Sequence, residues 1–280
     1  MTIDLFHEAR GKGRPLVLLP GWSQTIWSYH HQLEGLSDSC RVIALDLRGH
    51  GRSPKPAHGY RVARLARDVC EFLEAQALDE VVLCGHSMGA AVVWSYLEQF
   101  GRERLSAVIF IDQAPMVTDP GGLSDSERLS AGVAFTAESL SATALAVETD
   151  QADLLQRLKP AFFSSSVSDE DFARCVAESQ CLPAAYAARL LRDHGAQDWR
   201  DVIEHLVPEL DLPVLVFGGE LATIFPAEAA RWIADRIPGA ELSIFSSAEC
   251  GSHFLFRENA EKFNGVVRAF LQRHGLIGAT

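Results

Sequence analysis

The chain has 280 residues, of which 48% are hydrophobic and 22% are charged, and its formal net charge at pH 7 is −12. This length and composition suit one large α/β domain, or a core with an inserted subdomain, and they exclude a disordered chain. The acidic balance argues against nucleic acid or an anionic membrane surface as a partner, because no basic patch is available to bind phosphates.

The N-terminal residues contain no apolar targeting segment, and no stretch reaches the roughly 18 apolar residues that a membrane span needs. Six cysteines are scattered at positions 40, 70, 84, 175, 181 and 250, without a CxxC pair. Scattered cysteines are typical of reduced thiols in a reducing compartment. We therefore expect a cytoplasmic protein with neither disulfides nor a zinc site.

Short apolar runs rich in Val, Ile and Leu recur along the chain and are bounded by turn residues. They predict parallel strands that are buried on both faces, at Pro15–Leu19, Arg41–Leu45, Glu80–Cys84, Ala107–Ile111, Pro213–Phe217 and Glu241–Phe245. Helical periodicity separates them, at Val62–Ala75, Ala90–Phe100, Ala227–Ile237 and Asn259–Arg273. The alternation predicts an α/β fold with a doubly wound, mostly parallel sheet.

This alternation is interrupted between about residues 115 and 207, where no convincing strand occurs. The spacing there predicts helices, for example over Ser124–Phe135 and Phe172–Arg192. We therefore expect a core formed by residues 1–114 and 208–280, with residues 115–207 inserted as a helical lid over the sheet.

Aromatic residues of the predicted lid are candidates for a substrate pocket between the lid and the core, although most will pack the lid itself. They are Phe135, Phe162, Phe163, Tyr186 and Trp199. From this set we select Phe135, Phe162 and Tyr186 as candidate substrate-binding residues.

The pentapeptide GHSMG, residues 85–89, directly follows the predicted strand Glu80–Cys84 and precedes a predicted helix. Such a sharp strand-to-helix turn is a nucleophile elbow, which exposes the hydroxyl of Ser87 at the top of the sheet. The flanking glycines supply the room that the turn needs. The preceding residue, His86, either packs beside the elbow or makes a polar contact to substrate.

A serine hydroxyl is a poor nucleophile at neutral pH and needs a histidine to take its proton, with a carboxylate to orient that histidine. Among ten histidines, His253 is best placed, because it follows the last predicted strand in a Gly-Ser-His turn just before the C-terminal helix. His194 and His205 lie in the predicted lid and fit this role less well.

Four stretches together make the chain resemble the α/β-hydrolase superfamily, and the resemblance covers essentially all of it. They are LLPGWSQ, DLRGHGRS, GHSMG and the late GSHFLF turn. The resemblance implies an oxyanion hole formed by the backbone N–H groups of Trp22 and Met88, which would hold the developing negative charge. We interpret DLRGHGRS as a structural turn that ties loops together.

The sequence departs from this family at the position of the triad acid. In most relatives the strand that corresponds to Pro213–Phe217 is followed by a Gly-x-x-Asp turn, and its aspartate orients the histidine. Here the equivalent position holds Ala222. A methyl group cannot orient an imidazole, so the acid comes from elsewhere or the ordinary triad chemistry has been lost.

Two carboxylates are candidates for this role. Asp112 directly follows the predicted strand Ala107–Ile111, where some dehalogenases, lactonases and cofactor-free dioxygenases of the superfamily place their acid. It also preserves the chain order Ser87, Asp112, His253. The alternative is Glu220, which lies two residues before the usual position and has a longer side chain. We favour Asp112.

The predicted function is that of a serine hydrolase, which cleaves a carboxylic ester or lactone of a small-to-medium apolar substrate through an acyl-enzyme at Ser87. No metal or cofactor is expected, because the sequence has no HExxH motif, no clustered Cys/His set and no GxGxxG after a first strand. The expected partner is a small molecule, and the sequence predicts no oligomeric state.

Two alternatives stay open. A cofactor-free dioxygenase that acts on a hydroxyquinolone-like ring is favoured by the PGW stretch and the His86-Ser87 pair, and disfavoured by Met88, where those enzymes place a second histidine. A non-catalytic ligand-binding protein on the same fold is favoured only by the missing turn aspartate.

Overall fold

The computed structural model describes residues 2–278, whose strands form one large sheet and one small pair. The strands are β1 (His7–Arg10), β2 (Pro15–Leu19), β3 (Arg41–Leu45), β4 (Val81–His86), β5 (Leu105–Ile111), β6 (Thr118–Asp119), β7 (Phe135–Thr136), β8 (Val214–Gly219) and β9 (Glu241–Phe245). The large sheet has the order β1-β3-β2-β4-β5-β8-β9. β1 is antiparallel to β3 and the other neighbouring pairs are parallel, so the predicted sheet is confirmed.

Helices connect these strands. They are α1 (His30–Gly35), α2 (Val62–Ala75), α3 (Met88–Phe100), α4 (Asp125–Ala131), α5 (Ala137–Phe162), α6 (Asp169–Ser179), α7 (Ala184–Gly195), α8 (Val207–Glu209), α9 (Ala227–Arg236), α10 (Leu255–Glu258) and α11 (Ala260–Arg273). Single 3₁₀ turns occupy Ile26–Tyr29 and Ser247–Glu249, and a π-helical turn occupies Val202–Leu206. No helix within residues 2–278 is long and apolar enough to cross a membrane.

The central strands are buried on both faces because helices cover the sheet from both sides. Val81 and Leu83 of β4 belong to the hydrophobic layer that contains α2 and α3. Val82 and Cys84, whose side chains point the opposite way, belong to the layer that contains α1 and α11. This double burial explains why the sequence shows continuous apolar runs rather than alternation.

The edge strand β1 has no counterpart among the predicted strands. Its sequence, HEAR, is polar, and three of its four residues are exposed. An edge strand with one covered side needs no apolar run, so hydrophobicity alone could not indicate it.

Residues 115–207, which we call the inserted segment, are mainly helical. The expectation of no strand there is corrected by the pairing of β6 with β7, which run parallel over two residues each. The helix predicted over Ser124–Phe135 is α4, which already ends at Ala131. Gly132 caps it in the left-handed conformation (φ 66°), which stops the helix.

The single helix predicted over Phe172–Arg192 is two helices, α6 and α7. Pro183 directly precedes α7, and a proline in a helix interior would remove a hydrogen bond and clash with the preceding turn. The apolar periodicity continues across this break because both helices pack their apolar faces inward.

Candidate active site

Ser87 lies between the end of β4 and the start of α3, in a strained backbone conformation with φ 53° and ψ −128°. The two flanking glycines permit this turn. A Cβ atom on Gly85 would lie 2.3 Å from the carbonyl carbon of Gly89, and a Cβ on Gly89 would lie 2.3 Å from the carbonyl oxygen of Leu19. Neither position can therefore hold a larger residue without a backbone shift, which explains why glycines flank the strained serine in GHSMG.

The loop after β2 packs directly against the elbow. A Cβ atom on Gly21 would lie 3.1 Å from the Cβ of Ser87, so the two backbones approach closely. The backbone N–H groups of Trp22 and Met88 donate no hydrogen bond within residues 2–278. Met88 is also the first residue of α3, where N–H groups have no partner inside the helix and the helix dipole favours negative charge.

Several bonds fix the position of this loop. Ser23 has a left-handed backbone (φ 59°), and its N–H donates to Nε2 of His50 at 3.2 Å. Its hydroxyl donates to the carbonyl of Ser179 at 2.7 Å and accepts from the Gln151 amide at 2.8 Å. The indole N–H of Trp22 donates to a backbone oxygen of α7 at 2.9 Å. The loop is thus held by both the core and the inserted segment.

His253 and Asp112 form a close buried pair, with Nδ1 of His253 2.6 Å from Oδ2 of Asp112. Asp112 follows β5 with φ 44°, and its backbone N–H donates to the carbonyl of Phe217 at 2.9 Å. The N–H of Gly219 donates to its carboxylate. The chain reversal after β5 and the end of β8 therefore fix the carboxylate beneath the imidazole.

Burial determines the ionisation of this pair. It lowers the pKa of His253, because the charged ring would lose its hydration. Burial also raises the pKa of Asp112, and the N–H bond from Gly219 opposes that rise. The resting imidazole is therefore neutral, which is the form a general base requires.

Glu220, the alternative acid, lies elsewhere. Its side chain is exposed, and its Oε2 accepts a hydrogen bond from the backbone N–H of Ser247 at 2.9 Å. The structure therefore brings Asp112, and not Glu220, to the ring of His253. Ala222, at the usual position of the acid, is buried.

A cavity opens above Ser87, between the core and the inserted segment. Its empty space, including its open mouth, is about 740 Å³. The lining is mostly apolar and comprises Gly21, Trp22, Gln24, His86, Ser87, Val117, Phe135, Thr143, Leu154, Leu155, Leu158, Phe162, Leu191, His194, Ile224, Phe225, His253 and Phe254. An apolar pocket with a few convergent polar groups is typical of a small-molecule site.

The aromatic residues selected from the sequence divide into two groups. Phe135 and Phe162 line the cavity, and their contact with substrate stays a prediction. Tyr186 does not line it, and this expectation is corrected: its ring stacks on Tyr60 of the core, with centroids 4.2 Å apart. α7 presents Leu191 to the cavity and turns Tyr186 towards α2 instead.

His86 lines the cavity beside Ser87, and its hydrogen bond fixes its tautomer. Nε2 lies 2.9 Å from the carbonyl oxygen of His253, and because a carbonyl only accepts, Nε2 carries the proton. Nδ1 is therefore an acceptor, and it is buried without a partner within residues 2–278. His86 both packs beside the elbow and holds the backbone of His253.

Two histidines that sequence reasoning passed over contribute to the site. His50, in DLRGHGRS, accepts from the N–H of Ser23, while its Nδ1 lies 3.0 Å from the carbonyl of Arg48, to which it donates. His194, on α7, is buried and lines the cavity. A signal for His194 existed in its helical spacing from Leu191, but such spacing is equally typical of packing.

Comparisons with known proteins agree with this architecture. The family model described as the alpha/beta hydrolase fold matches residues 14–260. The non-heme chloroperoxidase of Kitasatospora aureofaciens is 26% identical over 97% of each chain. The bromoperoxidase of Bacillus anthracis (TM-score 0.86) and an esterase of Exiguobacterium antarcticum (TM-score 0.84) are each 24% identical over 96% of each chain, and both share the fold.

Proposed function

The chain belongs to the alpha/beta hydrolase fold family, a family of enzymes, and on that premise we propose that it is a serine hydrolase that cleaves a carboxylic ester or lactone. The observation that carries the proposal is the 2.6 Å contact of His253 Nδ1 with Asp112 Oδ2, next to the strained elbow of Ser87 in an apolar cavity. These are the three side chains of a nucleophile, a base and an orienting acid.

In the proposed reaction, Nε2 of His253 takes the proton of the Ser87 hydroxyl while Oγ attacks the substrate carbonyl carbon. The backbone N–H groups of Trp22 and Met88 donate to the resulting oxyanion. Asp112 keeps the Nδ1–H tautomer and stabilises the imidazolium.

Collapse of the tetrahedral intermediate breaks the bond to the leaving oxygen, which takes the proton from His253 and leaves an acyl ester on Ser87. A water molecule then attacks this ester, with His253 again acting as the base. The carboxylic acid is released and the serine hydroxyl is restored.

The lining of the cavity supports a small or medium apolar substrate, because most of its residues are apolar. A charged substrate group near Ser87 would lose its hydration without gaining an ion pair, because the resting ring of His253 is neutral and the walls are apolar. The esterase among the structural neighbours supports ester cleavage, and a lactone differs only in having its leaving oxygen tethered to the acyl group.

The test is stopped-flow release of p-nitrophenol from short-chain p-nitrophenyl esters, with wild type and Ser87→Ala at equal concentration. We expect a burst proportional to enzyme that is absent in the variant, since a burst reports acyl-enzyme accumulation. The same pair of proteins is tested on a panel of lactones by proton release, because ring opening forms a carboxylic acid. Absence of serine-dependent turnover of both the esters and the lactones would contradict the proposal. Oxygen uptake with a hydroxyquinolone, or ligand binding without turnover, would then support the dioxygenase or the binding protein.

A second candidate function comes from the curated relative named non-heme chloroperoxidase. In this route Ser87 is acylated by a carboxylic acid such as acetic acid, with loss of water, and the acyl-enzyme transfers its acyl group to hydrogen peroxide, which gives a peracid and restores the Ser87 hydroxyl. The peracid oxidises halide, and the carboxylic acid is recovered. Bromination in acetate buffer with peroxide and bromide tests this; bromination that persists in Ser87→Ala would exclude this route.

A further inference from the structure

The cavity has a polar group that the proposed mechanism does not use. His194 projects from α7 of the inserted segment into a lining that is mostly apolar. The residue is 4% exposed, its Nδ1 is buried, and neither ring nitrogen makes a hydrogen bond within residues 2–278.

An unpartnered buried imidazole is costly. A buried polar group without a hydrogen bond destabilises a protein, because it loses its hydration and gains nothing in return, and an apolar residue would avoid that cost. Such groups are rare, and a ring nitrogen that the protein leaves unpaired in a pocket is available to a bound ligand. A ligand that pairs with His194 recovers this cost on binding.

The neighbours of His194 define what it can recognise. Leu191, three residues before His194 on α7, is apolar. Elsewhere in the lining, the hydroxyl of Thr143 already donates to the Ser139 carbonyl at 2.8 Å. Burial lowers the pKa of His194 to about 4, so the ring is neutral at neutral pH and offers one donor and one acceptor. A neutral ring can form a hydrogen bond with an uncharged oxygen of the substrate, but it offers no ionic attraction to a carboxylate on the substrate.

We propose that His194 binds a second polar oxygen of the substrate, apart from the scissile carbonyl. The substrate class is an apolar ester or lactone that carries a hydroxyl or keto group on its acyl or ring portion. This inference rests on the proposed ester or lactone hydrolysis. His194 is a specificity-determining residue that reads this oxygen, while Ser87, His253 and Asp112 act on the carbonyl.

The position of α7 makes this recognition relevant to catalysis. The backbone of Ala187 on the same helix accepts the indole N–H of Trp22, so α7 is tied to the loop that supplies an oxyanion donor. A substrate held by His194 therefore has its distal end fixed relative to that loop. Fixing both ends of a substrate favours a reactive geometry.

The experiment compares kcat/KM for p-nitrophenyl hexanoate with kcat/KM for its keto-substituted analogues. The enzymes are wild type, His194→Phe, His194→Gln and the matched control His205→Phe, which alters an exposed histidine that does not line the cavity. We expect His194→Phe to lower kcat/KM for at least one keto ester about 10- to 100-fold and to leave hexanoate within about threefold. His194→Gln, which keeps a donor and an acceptor, should recover part of the loss, and His205→Phe should leave the ratio unchanged.

Equal losses on both esters, or an unchanged ratio in His194→Phe, would overturn the proposal and leave His194 as a packing residue. A second measurement separates this from failure of the hydrolase function. Binding of the same esters to Ser87→Ala and to Ser87→Ala/His194→Phe is followed by calorimetry. A Kd difference of about 10- to 100-fold that is specific to a keto ester supports recognition by His194 even without turnover, whereas no such difference overturns it.

Discussion

Replacement of Asp112 by Asn tests the assignment of the acid most directly. Asp112 has φ 44°, a left-handed conformation that Asn adopts readily and Ala does not. The backbone bond to Phe217 is also retained, because it uses the main-chain N–H. Asp112→Asn therefore removes the charge and leaves the chain reversal intact.

The expected loss follows from the geometry. With Nδ1 and Oδ2 2.6 Å apart, the charge centres of an imidazolium and a carboxylate lie roughly 4 Å apart. Their attraction at that separation is about 4 kcal/mol with an effective dielectric constant near 20. The neutral amide forfeits this term when His253 becomes protonated in the transition state. A loss of about 4 kcal/mol corresponds to roughly a thousandfold in kcat.

The assay is the acylation rate and steady-state kcat with a p-nitrophenyl ester, accompanied by thermal unfolding to show that the variant is folded. Glu220→Gln is the matched control, since Glu220 is exposed and bonds to Ser247 rather than to His253. It should retain kcat within about twofold. A folded Asp112→Asn variant with kcat within tenfold of wild type would refute the reasoning, as would a large loss in Glu220→Gln.

Three further predictions concern packing, pH and the oxyanion loop. Gly89→Ala should lower the free energy of unfolding by about 1–3 kcal/mol in urea titrations, because its Cβ would lie 2.3 Å from a carbonyl oxygen of β2. The control is Gly265→Ala, which adds a methyl group in open space on α11 and should not destabilise the protein. Equal effects of the two substitutions would contradict this prediction. The pKa of His194 is about 4 in the folded protein and near 6.5 in the unfolded chain, so the unfolded chain binds the proton first and folding stability falls as the pH drops below 6.5. Between pH 7 and pH 5 the free energy of unfolding of wild type should fall by about 2 kcal/mol more than that of His194→Gln. Parallel plots of unfolding free energy against pH for the two proteins would refute this prediction. Trp22→Phe should keep the rate of the p-nitrophenol burst within about tenfold of wild type, because the proposed oxyanion donor is the backbone N–H and only the indole hydrogen bond to Ala187 is lost. Complete loss of the burst in a folded variant would show that the indole itself is needed for acylation.

The acid illustrates the limit of motif reasoning. The sequence showed that Ala222 cannot orient an imidazole, and it left Asp112 and Glu220 as candidates. Which of the two carboxylates contacts His253 depends on the pairing of β5 with β8, because that pairing turns the Asp112 carboxylate towards His253. A local sequence motif does not indicate which strand about a hundred residues away will pair with it.

The pocket shows the same limit in the inserted segment. Phe135 and Phe162 reach the cavity, whereas Tyr186 stacks on Tyr60, although all three are aromatic residues in helical surroundings. Helical periodicity indicates which face of α7 is apolar, but the core and the cavity both accept apolar side chains. His194 was passed over for the converse reason, since a histidine in an expected lid gives no sign that it is buried and unpartnered.

The sequence by itself determined the alternation of strands and helices, the elbow at Ser87 and the late position of His253, because these depend on local apolar runs, glycines and turns. It also implied the family, through motifs whose spacing reflects the same local geometry. The tertiary structure decided the edge strand β1, the contact of Asp112 with His253 and the residues that face the cavity. These features depend on which distant segments pack together, and side-chain periodicity along one segment does not specify its neighbour.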